Sequence, residues 1–585
     1  MGARSWVRVG VFAGIVTIFL GLVGLIGRFV DLNLVGEQIT FARLVLVAAP
    51  FVAGFVVTRP WIEAGERREL PLRGSIIAGA IAGAAAGVVF GLAVLAVDAI
   101  GVERIRAIFL NVSEPLIEFV TFGQPAPVGA AILVAISALA GGLAAVIRAM
   151  PTPIRRPVAA AISTVLVLGF LQRIVPISLD QLSLERDWLY DRSIGGLTWL
   201  GALTVAVAAA GLSVLKARKG EALRSRFLPS ADGDGVPVSS LVLITLVAAV
   251  LIAVPWVVGE VISQVLGTVL IYVLLGIGLN IVVGYAGLLD LGYVFFFAVG
   301  AYSTALLTGA ALNTFTGSGP PAVSLDLNFY LAIPIVLLIA AGAGLLIGAP
   351  VLRLRGDYLA LVTLGLGEMV TVLVRSPWLV PLVGGPNGMR GVPDAAIAGF
   401  GFRQTQHFYY LALAFVLAAL FVSRRLYNSR IGRAWTAMRE DEQTADAMGV
   451  NTTRFKLLAF ATGGAIGSLG GAMFAVQIGS LTPASFEVQV SILVLGLVIL
   501  GGLGSLPGVV IGALVLVGLP GLLREFEEYR GLAYGAALVA VMILRPQGLV
   551  PNVRRSRELQ EEERAQDAWA QEKEAEGTRA EGVVI

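Results

Sequence analysis

Cysteine is absent from the 585 residues, so disulfides, thiolate metal sites and thiol nucleophiles are excluded. Histidine occurs once, at His407, and a lone imidazole argues against a zinc site. Charge is scarce as well: 14% of the residues are charged, where a soluble protein keeps roughly a quarter. No GxxxxGK[ST] phosphate loop occurs, so the chain lacks the usual backbone and lysine cradle for ATP. Hydrolase motifs are missing too. No enzyme chemistry and no bound cofactor or metal are expected of this chain.

What fills the sequence instead is apolar. Hydrophobic residues make up 57% of it, and the mean hydropathy is +0.87. They fall in blocks of about 20, the length that crosses a ~30 Å hydrocarbon core as helix. The short alternating segments of a membrane barrel are not present. The fold class is therefore an all-α polytopic integral membrane protein embedded in a lipid bilayer. Spans are predicted near 8–28, 41–58, 75–100, 127–147, 158–176 and 196–215. After a gap they resume near 241–258, 264–283, 291–310, 329–350, 357–374, 408–423, 457–477, 489–503, 506–523 and 531–544. This gives about sixteen helices, six plus ten. The first block follows Arg4 and Arg8 but runs longer than the core of a signal peptide. It reads as a retained helix.

The gap, RKGEALRSRFLPSADGDGVPVSS at 218–240, has the Gly, Pro, Ser and charge content of a boundary. Four regions follow: an N-terminal membrane extension (1–217), a cytoplasmic linker (218–240), a core of about ten helices (241–550) and a charged cytoplasmic tail (551–585). The tail reads as solvated and weakly helical or disordered. Residues 103–123 are too polar to span and are expected along the outer interface.

Basic residues orient the spans. With the N-terminus inside, the inner segments hold Arg59, Arg67, Arg68, Arg73, Arg148, Arg155 and Arg156, then Lys216, Arg218, Lys219, Arg224 and Arg226 of the linker. Further on come Arg353, Arg355, Arg424, Arg425, Arg430, Arg433, Arg439, Arg454 and Lys456. Both termini are thus expected in the cytoplasm. The net charge of +3 is assigned to membrane orientation rather than to nucleic acid.

Five stretches carry candidate function. GYAGLLDLGYVFFFAVGAY (284–302) and GGLGSLPGVVIGA (501–513) are glycine clusters at matching places in the two halves of the core. Paired glycine or proline interruptions point to an internal pseudo-repeat with discontinuous helices, since irregular backbone at membrane depth needs protein or a wet cavity around it. Close helix packing is the other reading of such glycines. Pathway candidates here are Gly284, Tyr285, Gly287, Asp290, Tyr293, Gly501 and Gly504, with Asn280 from the preceding span. Asp290 falls at the cytoplasmic end, where it reads as a helix cap or gate residue rather than a binding-site anion. In RLRGDYLALVTLGLGE (353–368), Glu368 sits in mid-span, where a charge must be protonated, paired or facing water; it is a further pathway candidate, with an inter-helix hydrogen bond as the other reading.

VGGPNGMRGVP (383–393) encodes turns on the outer side. Gly385, Pro386, Asn387 and Gly388 suit contact with a delivering protein. SRIGRAWTAMREDEQTADAMGVNTTRF (429–455) reads as a short amphipathic helix in a cytoplasmic loop. Its inner face is expected to hold Ile431, Trp435, Met438, Ala445 and Met448, with Gly449 as left-handed stop and Asn451, Thr452 and Thr453 as candidate caps for the next span. Glu440, Asp441 and Glu442 are expected to be exposed for recognition. Such a helix either lies on the membrane or docks into a groove of another protein.

These stretches, with RPQGLVP at 545–551, occur in the order of the permeases of branched-chain amino-acid ABC importers, which the chain resembles over about residues 240–550. The resemblance is to the LivM-type subunit. It implies a second homologous permease subunit, two cytoplasmic ATPases that use ATP, and an extracytoplasmic solute-binding protein delivering leucine, isoleucine, valine or a related solute. It implies a bacterial inner-membrane location. It also makes Arg433, Met438, Arg439, Glu440, Asp441, Glu442, Ala445, Met448 and Gly449 the ATPase-coupling helix. Leu288, Asp290 and Tyr293 stand where many relatives carry Gln, Ser and His, and urea or amide permeases share much of the pattern. An ion-coupled transporter using Glu368 and Asp290, and a membrane scaffold, are the readings from other classes.

Overall fold

The computed structural model describes residues 3–59, 61–63, 66–68, 71–172, 175–181, 185, 187–191, 193, 195–227, 238–314, 317–319, 321, 324–351, 357–397, 400–402, 404–522, 531, 534–535, 538–539 and 547–550. Arg353 and Arg355, linker residues 228–237, most of the predicted span 531–544 and the tail 551–585 lie outside these. Two compact units divide the chain, Met1–Val250 and Leu251–Ile585.

The first unit contains α1 (Ala3–Leu22), α2 (Phe41–Val57), α3 (Leu72–Ile100), α4 (Ala126–Ala149), α5 (Thr152–Phe170) and α6 (Trp199–Phe227). Small residues hold it together. A Cβ on Gly83 would strike the Ser137 carbonyl, and one on Gly141 would strike that of Gly79, so α3 and α4 pack backbone to backbone. The polar 103–123 stretch forms only the short helices Val102–Arg106 and Glu114–Val120, too short to cross. Helix α6 continues to Phe227, well into the predicted linker. The apolar part of the helix ends at Leu215, but Ala, Lys, Glu, Leu and Arg of the following KARKGEALRSRF are strong helix formers, so the helix continues.

The element Val238–Leu279 (α7) begins before the second unit and leaves helical geometry within it, at Gly259 (φ 79°, ψ 179°), so the predicted spans 241–258 and 264–283 are separated by that break. A π-helical turn, Asn280–Tyr285, follows. Then come α8 (Val294–Thr308), α9 (Phe329–Val351), α10 (Asp357–Arg375), α11 (Thr405–Tyr427), α12 (Arg430–Glu440), α13 (Glu442–Ala447), α14 (Thr452–Ile478), α15 (Val488–Gly501) and α16 (Leu506–Ala513). Among the described residues, ten helices are long and apolar enough to cross a membrane, and four shorter apolar ones accompany them. Every predicted span up to 506–523 has a counterpart among these. Helix α14 is the spine of the unit, with Ala459, Phe460, Ala472, Met473 and Ala475 buried.

The loops sort to two ends. Ala311–Thr314, Gly317–Gly319, Met389–Arg390 and Ser480–Leu481 form one four-stranded antiparallel sheet. They belong to three loops that the charge pattern assigns to the outer side. Loops assigned to the inner side meet one another as well. Arg439 bonds to Gly284, and Asn280 bonds to Gly504. Alternation of the spans through this unit is thus self-consistent.

Candidate functional site

The site is built where the two glycine clusters meet. Helix α7 widens into a π turn at Asn280, a distortion that places a side chain off the regular helical track. Asn280 Oδ1 accepts a hydrogen bond from the Gly504 amide at 2.9 Å. Gly284 faces the same amide, 2.7 Å from where its Cβ would stand. Gly501 packs on the Gly508 carbonyl. The two clusters, 220 residues apart by number (284 and 504), are therefore in direct contact, and Asn280, Gly284 and Gly504 are brought together. A second π turn, Leu514–Gly518, follows the second cluster.

Gly287 takes a left-handed conformation (φ 72°), turning the chain away from the π turn. Beyond it the backbone is pinned from several sides. Leu291 N donates to Thr363 Oγ1 at 3.1 Å, and Tyr293 Oη donates to the Gly463 carbonyl at 2.7 Å. Tyr285 Oη meets Ser423 Oγ at 3.3 Å, and its ring lies 4.7 Å from that of Tyr427. Asp290 is 2% exposed, and its Oδ1 accepts from the Gly292 amide at 2.8 Å. That is a local turn, not a helix cap. The first amide of α8, Val294 N, is bonded by Ser491 Oγ at 2.8 Å. Ser491 escaped the sequence reading because nothing in a lone serine within an apolar span advertises a partner 197 positions away. Asp290 Oδ2 and Asn280 Nδ2 are buried without partners among the described residues.

Glu368 does not join this cluster. Thr363 and Gly367 form the inner face of α10, with the Thr363 carbonyl against Gly292, and Glu368 lies on the exposed face.

The segment 429–455 is two helices, not one. Ser429 caps α12 by accepting from the amides of Ile431 and Gly432. Asp441 leaves helical geometry (φ −153°, ψ 110°) and caps α13, accepting from Gln443 N at 2.8 Å and Thr444 N at 2.9 Å. The Thr444 bonds, then that of Gln443, hold the Asp441 carboxyl below the ordinary carboxylate range. Trp435 is fully buried, and its Nε1 donates to the Phe455 carbonyl at 2.8 Å. Met438 and Ala445 are buried beside it. Met448 is 81% exposed, contrary to the expected inner position, because the break at Asp441 resets the helical phase. Glu442 is not free for recognition either. Its Oε1 pairs with Nζ of the buried Lys456 at 2.6 Å. Gly449 is the left-handed stop (φ 88°), with Val450 N returning to the Ala445 carbonyl at 3.0 Å. Asn451 caps α14 through Arg454 N at 3.0 Å. Arg433, Glu440 and Asp441 remain exposed.

Arg439 joins this segment to the glycine break. Its Nη1 donates to the Gly284 carbonyl at 2.8 Å, its Nη2 pairs with Glu440 at 2.8 Å, and its stem covers Gly287. At the far end of the unit, the turn at 384–388 is sustained by positive φ at Gly384, Gly385 and Gly388. Gly385 and Gly388 are buried, Asn387 is half-buried and Pro386 is exposed. The two buried glycines therefore shape the turn rather than form a contact surface.

The family described as "Branched-chain amino acid transport system / permease component" matches residues 261–544. The high-affinity branched-chain amino acid transport system permease protein LivM of Escherichia coli (strain K12) is 39% identical over 350 residues, covering 56% of this chain and 78% of that protein. The probable branched-chain amino acid transport permease protein LivM of Methanocaldococcus jannaschii is 26% identical over 326 residues, 50% of this chain and 94% of the relative. The high-affinity branched-chain amino acid transport system permease protein LivH of Salmonella typhimurium is 31% identical over 136 residues, 23% of this chain and 44% of the relative. No solved structure matches the chain.

Proposed function

We propose that this chain, which belongs to the branched-chain amino-acid transport permease family, is the transmembrane subunit of an importer driven by ATPases on other chains. The solute in this reading is a branched-chain or related hydrophobic amino acid. The observation that carries the proposal is the Arg439 bridge: a folded, capped two-helix segment on the side assigned to the cytoplasm is bonded to the backbone of the glycine break. A partner that moves this segment moves the π turn, and with it the Asn280–Gly504 joint between the two glycine clusters. The exposed Met448 beside Asp446 and Ala447 offers an apolar tip for a groove on an ATPase. The chain has no phosphate loop of its own, which fits an energy source on another chain. A second permease and a binding protein outside the membrane complete the assembly.

Vesicles holding the chain with its ATPases, second permease and binding protein are expected to accumulate labelled leucine only when ATP is inside. Vesicles holding the chain alone are expected to accumulate none. Accumulation by the chain alone, driven by a proton or sodium gradient, would replace this reading with an ion-coupled transporter. Competition by urea or short amides but not by leucine would keep the importer and change the solute.

A further inference from the structure

Helix α10 has two unlike faces. Thr363, Gly367, Val370 and Val374 turn inward, while Leu361, Gly365, Glu368, Met369 and Val372 are exposed. The second set recurs at three- and four-residue spacing, which makes one continuous stripe on the helix. Its centre is a carboxylate. Glu368 lies about 2 Å from the midpoint of the span Tyr358–Arg375, counting 1.5 Å per residue. No hydrogen bond or ion pair reaches its side chain among the described residues, and a lone carboxylate against lipid tails is costly at that depth. One turn earlier, Gly365 has no neighbour within 4 Å of where its Cβ would be, a notch that admits a second helix closely. The exposed stripe of α9, with Leu331, Leu338 and Leu346, has an equally open glycine at Gly342 but no carboxylate, and suits lipid.

We infer that the Leu361–Val372 stripe of α10 is the face on which a second, homologous permease chain packs, with a hydrogen-bond donor of that chain set against Glu368. This rests on the importer reading given above. A second copy of the same chain fits less well. An isologous pairing gives both protomers the same patch, so two Glu368 carboxylates would share one seam, and like charges across an interface disfavour it. A different permease of the same family can present a donor there and a small residue opposite Gly365.

The absence of a folded partner in lipid is what the experiment must distinguish. Benzoylphenylalanine is placed at Leu361 or Val372, and at Leu338 or Leu346 as controls, in the complete transporter purified from its native membrane and shown to import leucine. Irradiation is expected to join the α10 positions to the second permease chain, identified by mass, in at least several-fold higher yield than the α9 positions. Glu368→Leu, which makes the stripe lipid-compatible, is expected to lower the Val372 crosslink several-fold, whereas Glu368→Gln retains it. Products with a second copy of this chain, with its own N-terminal unit, or with lipid at the control level would overturn the inference while leaving the importer reading standing. Purified transporter that imports leucine without any second permease would overturn both.

Discussion

Replacing Arg439 by alanine removes the one side chain among the described residues that bonds the 429–455 segment to the glycine break. The guanidinium is 17% exposed and reaches the Gly284 carbonyl at 2.8 Å. A charged donor on a largely buried carbonyl contributes about 1.5–3 kcal/mol, equivalent to about 10- to 150-fold in the equilibrium between docked and released segments. The carbonyl left behind sits in a π turn, where the ladder offers it no regular partner. The expected consequence is uncoupling. In proteoliposomes containing the whole transporter, Arg439→Ala should lower leucine uptake per ATP hydrolysed by at least tenfold while hydrolysis continues. Arg439→Lys should recover part of the ratio, since a lysine reaches one acceptor but cannot span Gly284 and Glu440 with a planar fork. Glu440→Ala should change little, because its side chain is 65% exposed and exposed pairs contribute about 0–1 kcal/mol. Unchanged uptake per ATP in Arg439→Ala, at equal protein in the vesicles, would refute the idea that this bridge carries motion.

Asn280→Ala removes the buried hydrogen bond from the Gly504 amide, a loss of about 0.5–1.5 kcal/mol; a melting temperature in detergent equal to that of the parent would contradict the joint between the two glycine clusters. Glu442→Ala strands the buried Lys456 and should destabilise more than Lys456→Met, which leaves no buried charge; the cost falls below the about 3–5 kcal/mol of a fully buried pair because Glu442 is 31% exposed. Limited proteolysis of the 441–456 segment reads this ordering, and equal rates for the two variants would count against it. Asp441 is held below its ordinary value of 3.8, so its capping contribution is complete above that value and is lost only as the pH falls through the lowered one. A spin label at Met448 should therefore keep the same mobility between about pH 5 and pH 7 and become more mobile in Asp441→Ala at any pH in that window.

Much of this was legible because it rests on local rules. Twenty-residue apolar runs, a glycine after an amphipathic stretch and an asparagine before the next span each encode their structure within a few neighbours, and Gly449 and Asn451 adopt the roles those rules assign. The correspondence of the two glycine clusters was also readable as pattern, although the bond that joins them was not. The failures have two causes. Phase along a helix is read by counting, and one non-helical residue, Asp441, is enough to turn Met448 from the inner face to the outer. The signal was there, since an aspartate followed by Glu442 and Thr444 is a good start for a new helix. The Lys456–Glu442 pair and the Ser491 bond to Val294 depend on which helices lie side by side, and composition alone does not specify that. The depth of Glu368 is readable from its position along the span, but the face it occupies is not, since facing is set by the neighbouring helices.

The four-stranded sheet, at the end assigned to the outside by the charge pattern, has a mechanical consequence. It fastens the chain just beyond α8, just before residue 391 and just after α14 into one plate, so those three places cannot part without breaking ladder bonds. A bundle clasped at one end behaves like tweezers, and any tilt is magnified with distance from the clasp. Helix α14 has 27 residues, about 40 Å at 1.5 Å each. A rotation of about 5° at the plate would carry its other end through about 3.5 Å on that length, more than the 2.8 Å separating Arg439 from Gly284. Small pivots at the fastened end are thus enough to make or break the bridge at the free one.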